Sequence, residues 1–159
     1  MSYDLAFTLR PGAQPPAVAA LKEWLAARPG WRVFDGHATY FNEATGTDCM
    51  VYLREPGADD PPGRAPIQLT IAGHGPHTLG IEVGEEVQAL VEAFDLLVDD
   101  PQLDGMGKGE FTTAGFLGGY GAFNRLAHRT ALMLDQRPRA LGREKLEAAW
   151  RWNRGRDRL

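Results

Sequence analysis

Serine is almost absent from this chain, since Ser2 is the only one among 159 residues. A hydrolase with a G-x-S-x-G nucleophile turn needs a serine between glycines, so that class of enzyme is excluded. The single cysteine, Cys49, excludes an intramolecular disulfide and a zinc site built from cysteines. No cation or imidazole lies beside it in the sequence to activate the thiol, so we expect a small buried side chain.

Lysine is scarce and long apolar runs are missing. Three lysines, Lys22, Lys108 and Lys145, leave few candidates for Schiff-base chemistry. No apolar run approaches the ~18 residues of a membrane span. The first residues include Asp4 and lack the basic start of a secretory signal, so we expect a cytoplasmic protein. With 43% apolar residues, residues 1–159 fit one globular domain.

The net charge of −4 conceals an uneven distribution. Residues 1–110 hold 7 Lys/Arg and 17 Asp/Glu, a net charge of −10, whereas residues 111–159 hold 10 and 4, a net charge of +6. One interpretation is an acidic body that packs against its own basic C-terminal helices. The other is that one of these two surfaces meets a partner of opposite charge.

The hydrophobic pattern predicts an α+β domain. Strands are predicted over 3–9, 38–42, 48–54, 67–72 and 78–83, and helices over 15–27, 85–98, 117–134 and 143–153. Clustered strands with short connections favour a mainly antiparallel sheet of about five strands with helices packed on one face. The two C-terminal helices form a basic segment over 111–159, and residues 3–110 form the αβ body. Loops are predicted over 56–66, 99–104 and 105–109.

Two imidazoles lie three residues apart in the sequence, at His74 and His77. Two neutral imidazoles can share a metal ion, with Glu82 or Glu43 as a third ligand, but the pair lies in a predicted connection between strands. The alternatives are a metal-dependent hydrolase and a solvated turn. We expect the turn, and therefore no cofactor and no bound metal.

Two further segments have a functional and a structural interpretation. The glycine-rich residues 115–121 precede Arg125 and Arg129, which is compatible with an anion site or with close helix packing. The basic C-terminal segment interleaves Trp150 and Trp152 with four arginines over 150–158. It is compatible with a nucleic-acid-binding or adaptor role, or with a tryptophan that anchors the last helix to the core.

Three segments together resemble a known family. Residues 3–7 (YDLAF), 40–46 (YFNEATG) and 94–102 (FDLLVDDPQ) are similar to motifs of the SitI-type immunity proteins of bacterial swarm-exclusion and polymorphic-toxin systems. A W-x-x-x-N element often follows in that family, and residues 120–124 (YGAFN) differ by having Tyr in place of Trp. The resemblance covers residues 3–125 in order, and its motifs read as turn and helix-stop chemistry.

The resemblance implies a non-catalytic cytosolic protein that binds a cognate bacterial toxin and neutralises it by covering its active surface. If the toxin is a basic nuclease, acidic loop residues would steer the association. As candidate partner-binding residues the sequence offers five aspartates in predicted loops: Asp59, Asp60, Asp99, Asp100 and Asp104. No membrane partner is expected, and the alternatives are the His74/His77 hydrolase and the nucleic-acid-binding protein.

Overall fold

An antiparallel sheet of seven strands forms the centre of the fold. The computed structural model describes residues 1–102, 104–134 and 142–156. The strands are β1 (Ser2–Leu9), β2 (Trp31–Val33), β3 (His37–Asn42), β4 (Thr47–Leu53), β5 (Arg64–Ala72), β6 (Leu96–Asp100) and β7 (Gly107–Gly109), in the spatial order β2-β3-β4-β5-β1-β6-β7. The helices are α1 (Val18–Ala26), α2 (Thr78–Phe94), α3 (Thr113–Met133) and α4 (Arg143–Gly155). The α+β class is confirmed, and the prediction of about five strands is wrong.

The two faces of the sheet differ in burial. Along β4, Thr47, Cys49, Val51 and Leu53 are buried, whereas Asp48 and Tyr52 between them are exposed. This period of two places every second side chain against the helices. The core is a cluster of buried apolar residues from the helix-facing side of β1, β3, β4, β5 and β6 together with α1, α2 and α3. The central hairpin, predicted over 38–42 and 48–54, is confirmed as β3 and β4.

The prediction of a strand over 78–83 is wrong, because α2 begins at Thr78. The alternating pattern of residues 78–83 also fits a helix, since Leu79 and Val83 lie one turn apart and both are buried. Gly80 lies so close to Tyr120 of α3 that a Cβ there would come within 2.5 Å of the ring. The glycine therefore lets α3 pack tightly against α2.

The segment after α2 also differs from its predicted structure. The helix ends at Phe94, and Asp95 takes the left-handed conformation (φ 50°) while its N–H donates to the Val91 carbonyl. Short polar residues such as aspartate tolerate this conformation and can terminate helices. The chain then returns as β6 beside β1 instead of continuing the predicted helix to residue 98. Asp99 and Asp100 are thus strand residues, and part of the predicted loop 105–109 forms β7.

The C-terminal helices follow the prediction with shifted ends. Helix α3 begins four residues earlier than expected, where the Thr112 hydroxyl accepts a hydrogen bond from the Gly115 N–H (3.2 Å). Helix α4 covers the predicted 143–153 and extends to Gly155. The predicted break at 137–138 and the end of the basic segment at 157–159 lie outside the described residues. No helix in the described ranges is long and apolar enough to cross a membrane.

Candidate functional site

A buried carboxylate, Glu82, joins three parts of the fold. Its side chain lies on α2, and the residue is 1% exposed. Its oxygens accept hydrogen bonds from the Tyr40 hydroxyl (2.5 Å), the Asn42 amide (2.6 Å) and the Thr45 hydroxyl (2.7 Å) of the β3–β4 hairpin. The Trp150 indole of α4 donates a fourth (3.0 Å). One side chain therefore fixes the hairpin and the last helix to α2.

The donors keep Glu82 ionised. Burial alone would raise the pKa of this carboxyl, but hydrogen bonds from Thr45, Tyr40, Asn42 and Thr47 outweigh it and hold the pKa below its ordinary value. The Arg154 guanidinium lies 3.9 Å away and supplies a compensating charge. With its oxygens engaged in this way, Glu82 is placed to hold the structure together.

Asp100 is a second buried carboxylate, and this corrects its expected place in a loop free of core contacts. It is 2% exposed at the end of β6 and accepts a hydrogen bond from the Tyr3 hydroxyl of β1. It also accepts the backbone N–H groups of Gln102 (3.2 Å) and Met106 (3.0 Å). Burial, together with the bond to Asp100, raises the pKa of Tyr3 far above its ordinary value. Asp100 therefore organises the β6–β7 turn and is withdrawn from any partner.

A third buried polar residue, Asn124 of α3, holds the segment between β5 and α2. Its amide nitrogen donates to the carbonyls of Gly73 (2.9 Å) and Gly75 (2.8 Å). Most residues of these contacts fall in the segments quoted for the family resemblance, namely Tyr3, Asn42, Thr45, Asp100 and Asn124, whereas Glu82 lies outside them. These motif residues hold elements together across the core.

The other four predicted partner-binding aspartates are dispersed. Asp59 and Asp104 are exposed and have no ion pair within the described residues. Asp60 is held by Arg54 in two hydrogen bonds (2.8 and 2.9 Å), and Asp99 lies 3.3 Å from the Lys108 ammonium.

These aspartates do not form one acidic patch. The loop with Asp59 and Asp60 joins the sheet beside Leu9, whose N–H donates to the Gly63 carbonyl (2.8 Å). The Asp104 backbone packs on Gly119, which also approaches the Tyr3 hydroxyl near the other end of β1. Tyr3 and Leu9 are six residue steps apart along the strand, a distance of about 20 Å.

The two histidines are not joined by a third ligand. His77 lies 3.2 Å from the Glu147 carboxylate of α4, whereas His74 is exposed. Glu82 is committed to the hairpin, and Glu43 is exposed in the β3–β4 turn. Within residues 1–102, 104–134 and 142–156, no three His, Cys, Asp or Glu side chains are grouped to hold a metal ion. The hydrolase stays a prediction, which metal analysis of the purified protein would test.

Helix α4 is held to the body by polar contacts. Beside Trp150, the Asn153 amide donates to the Ala44 carbonyl (2.5 Å), and Arg154 pairs with Glu85 (2.5 Å). Trp150 thus anchors the helix, as the structural interpretation of this segment expected. Trp152 is 64% exposed, so a nucleic-acid role for this segment stays a prediction. The pairing of Arg154 with Glu82 and Glu85 fits the interpretation in which basic helices pack against the acidic body.

Cys49 is buried, as expected, on the helix-facing side of β4. Burial raises the pKa of its thiol far above the ordinary value, and the nearby carboxylates of Glu86, Asp48 and Glu82 act in the same direction. The thiolate is therefore not formed near neutral pH, and the side chain is unsuited to nucleophilic chemistry.

The opposite side of β3 and β4 carries exposed aromatic side chains. We call this surface the aromatic face and define it as Phe34, His37, Phe41, Met50 and Tyr52. Phe34, Phe41 and Tyr52 are 48%, 55% and 46% exposed. His37 pairs with Tyr52 across the strands, and the ring of Phe34 stacks on His37 with centroids 4.7 Å apart. Helices α1 and α2 pack on the other side of these strands, so the rings face solvent.

Exposed aromatic groups of this kind are typical of protein-binding surfaces. The sequence pattern indicates this exposed aromatic surface, because Phe41 and Tyr52 alternate along their strands with the buried Tyr40 and Val51. Sequence reasoning missed the surface because it sought charged loops. Comparison of the chain with protein-family models, with curated proteins and with solved structures found no match.

Proposed function

We propose that this chain is a non-catalytic binding protein of the immunity type, which neutralises a bacterial toxin by covering its active surface. The aromatic face carries the proposal. It combines aromatic side chains with Arg32 and Asp48 at its edges, and aromatic residues and arginine are enriched among residues that dominate binding energies. A rigid sheet presents these side chains with little loss of entropy on binding.

The family resemblance supports the same function. Its motif residues make the anchors Tyr3–Asp100, Asn42–Glu82 and the bonds of Asn124, so the resemblance extends to residues that build the core. A shared scaffold of this kind leaves the exposed surface free to differ between proteins that bind different toxins.

Charge gives the partner a chemical class. The net charge of −10 over residues 1–110 favours a basic partner, because the field of the body accelerates association over distances near the Debye length. Asp59 and Asp104 are exposed and unpaired in the described structure, so they contribute to this field without holding the fold. We therefore assign contact to the aromatic face and steering to the exposed acids.

The experiment measures binding of the purified chain to the protein encoded by the adjacent reading frame. We expect a complex whose association rate falls as salt is raised. Phe41→Ser with Tyr52→Ser should increase the dissociation rate by about tenfold or more, since hot-spot aromatics often contribute above ~2 kcal/mol. Asp59→Lys with Asp104→Lys should slow association at low salt and leave dissociation unchanged.

The matched control is Met133→Ser on α3, an apolar residue that is 84% exposed and lies outside the aromatic face. It should leave both rates unchanged. If the Phe41/Tyr52 variant and the Met133 variant weakened binding equally, the aromatic face would be removed from the proposal. Absence of binding at micromolar concentrations would overturn the immunity function for this pair of proteins.

A further inference from the structure

A cleft of about 800 Å³ lies between α3 and α4. One wall is α3, with Arg125, Leu126, Arg129 and Leu132, and the other is α4, with Arg143 and Leu146. Clefts of about 300 to 1,000 Å³ are the usual size of small-molecule sites. The cleft between α3 and α4 lies apart from the aromatic face, which is on the other side of the sheet and is formed by other elements.

The charge of the cleft is unusual for an acidic protein. Arg125 and Arg129 lie one helical turn apart, and neither has a carboxylate partner in the described residues. Like charges at this spacing destabilise a helix slightly unless an anion compensates them. Arg143 adds a third guanidinium, which also bonds Glu147 (2.7 Å). Among the described lining residues, Asp104 is the acidic side chain.

The rest of the lining combines apolar side chains with the polar residues His77, Gln102, Asn124 and His128. Leu126 and Leu132 are 55% and 59% exposed, and the cleft also contacts Phe123 and Leu146. Apolar side chains held open to solvent beside unpaired guanidinium groups match a ligand with an anionic end and an apolar body. Burying such a body stabilises a complex by roughly 25 cal/mol per Å² of apolar surface.

We propose that the cleft binds a phosphate monoester with an aromatic or apolar body of nucleotide size. A phosphate monoester carries about −1.5 to −2 charges near neutral pH, which matches the two unpaired guanidinium groups better than one carboxylate does. The planar fork of arginine bonds two phosphate oxygens at once. The phosphate is assigned to Arg125 and Arg129, and the body lies against Leu126, Leu132 and Leu146.

Calorimetric titration of the full chain with four probes in a phosphate-free buffer tests the proposal: AMP, adenosine, inorganic phosphate and octanoate. We expect AMP to bind at least about tenfold more tightly than each of the other three, because only AMP combines both ends of the ligand. Binding of octanoate as tight as that of AMP would overturn the assignment to phosphate. No binding of AMP below about 1 mM would overturn the site itself.

Variants then locate the site. Arg125→Gln with Arg129→Gln should weaken AMP binding at least about tenfold, whereas Arg32→Gln, an exposed arginine on the far face of the sheet, should change it less than about twofold. Leu132→Asp, at an exposed position, should also weaken binding at least about fivefold by placing a negative charge on the cleft wall. Equal AMP affinity in the wild-type chain and in both cleft variants would contradict the proposal. The test needs no toxin, so its failure leaves the proposed immunity function untouched.

Discussion

The hydroxyl of Tyr40 donates a hydrogen bond to the carboxylate of Glu82 (2.5 Å), and this contact joins strand β3 to helix α2 across 42 positions of the chain. Both residues are buried. Burial raises the pKa of Tyr40 far above its ordinary value, and the hydrogen bond that its hydroxyl donates to the Glu82 carboxylate acts in the same direction. The hydroxyl therefore remains protonated, and able to donate, near neutral pH.

Glu82→Gln should lower the free energy of unfolding by about 3 kcal/mol at pH 7. The amide replaces one accepting oxygen by an NH₂ group where each neighbouring group donates to the carboxylate, so at least one of the Tyr40, Thr45 and Trp150 groups loses its acceptor. Urea denaturation measures the change. Glu85→Gln is the matched control, because Glu85 is exposed and pairs only with Arg154 among the residues that the structure describes. Glu85→Gln should lower the free energy of unfolding by less than about 0.5 kcal/mol.

The effect of Glu82→Gln should depend on pH with a definite sign. The folded-state pKa of Glu82 lies below the ordinary 4.5, so the wild-type advantage is fully present above about pH 5. It declines as the pH falls from there through the folded-state pKa, because the protonated carboxyl gains less from the donors. A difference between the two proteins that grew on acidification would contradict an ionised Glu82.

The variants Asp100→Asn and Asp104→Asn compare the stabilising effect of a buried aspartate with that of an exposed one in the same turn. Asp100→Asn should lower the free energy of unfolding by about 2 kcal/mol, because Asp100 accepts hydrogen bonds from the Tyr3 hydroxyl and from the Met106 N–H in the core. Asp104→Asn should change the free energy of unfolding by less than about 0.5 kcal/mol. Thermal unfolding of both variants checks this. Similar midpoints for the two variants would show that Asp100 has no structural role.

Two glycines in helices should respond to alanine with opposite signs. In Gly80→Ala the new Cβ would lie 2.5 Å from the buried Tyr120 ring. We expect this overpacking to lower the free energy of unfolding by about 2 kcal/mol. Gly118 of α3 has no atom within 4 Å of a Cβ, so Gly118→Ala should stabilise the protein by up to about 1 kcal/mol through helix propensity. Melting temperatures that shift in the same direction would contradict the close packing of α2 on α3.

Trp150→Phe tests how α4 is attached. The change removes the indole N–H that donates to Glu82 and keeps an aromatic ring, so α4 should open more often. Hydrogen exchange of the α4 amides should accelerate by about fivefold or more, as expected for a lost bond to a charged group. Trp152→Phe, at a residue that is 64% exposed, is the control and should leave exchange unchanged. Equal exchange in both variants would mean that the other polar contacts hold the helix.

Local patterns predicted the elements whose chemistry is local. The β3–β4 hairpin has alternating strands and a turn at Thr45 and Gly46, and Gly46 has the positive φ that such a turn requires (69°). The prediction of a strand over 78–83 is wrong because the short apolar pattern of these residues fits two periods, and the helix is the one that brings Gly80 against Tyr120 in the packed fold. The end of α2 was misplaced because an aspartate, Asp95, terminates the helix in place of a glycine.

By itself, the sequence determined the α+β class, the lack of an internal serine nucleophile, the buried Cys49 and the uneven charge. Only the tertiary structure decided which polar residues are buried. Asp99, Asp100 and Asp104 look alike in the sequence, yet Asp100 alone meets the Tyr3 hydroxyl, 97 positions away. The physical reason is that a carboxylate enters the core only where donors from distant segments converge on it, and that convergence is a property of the packed fold.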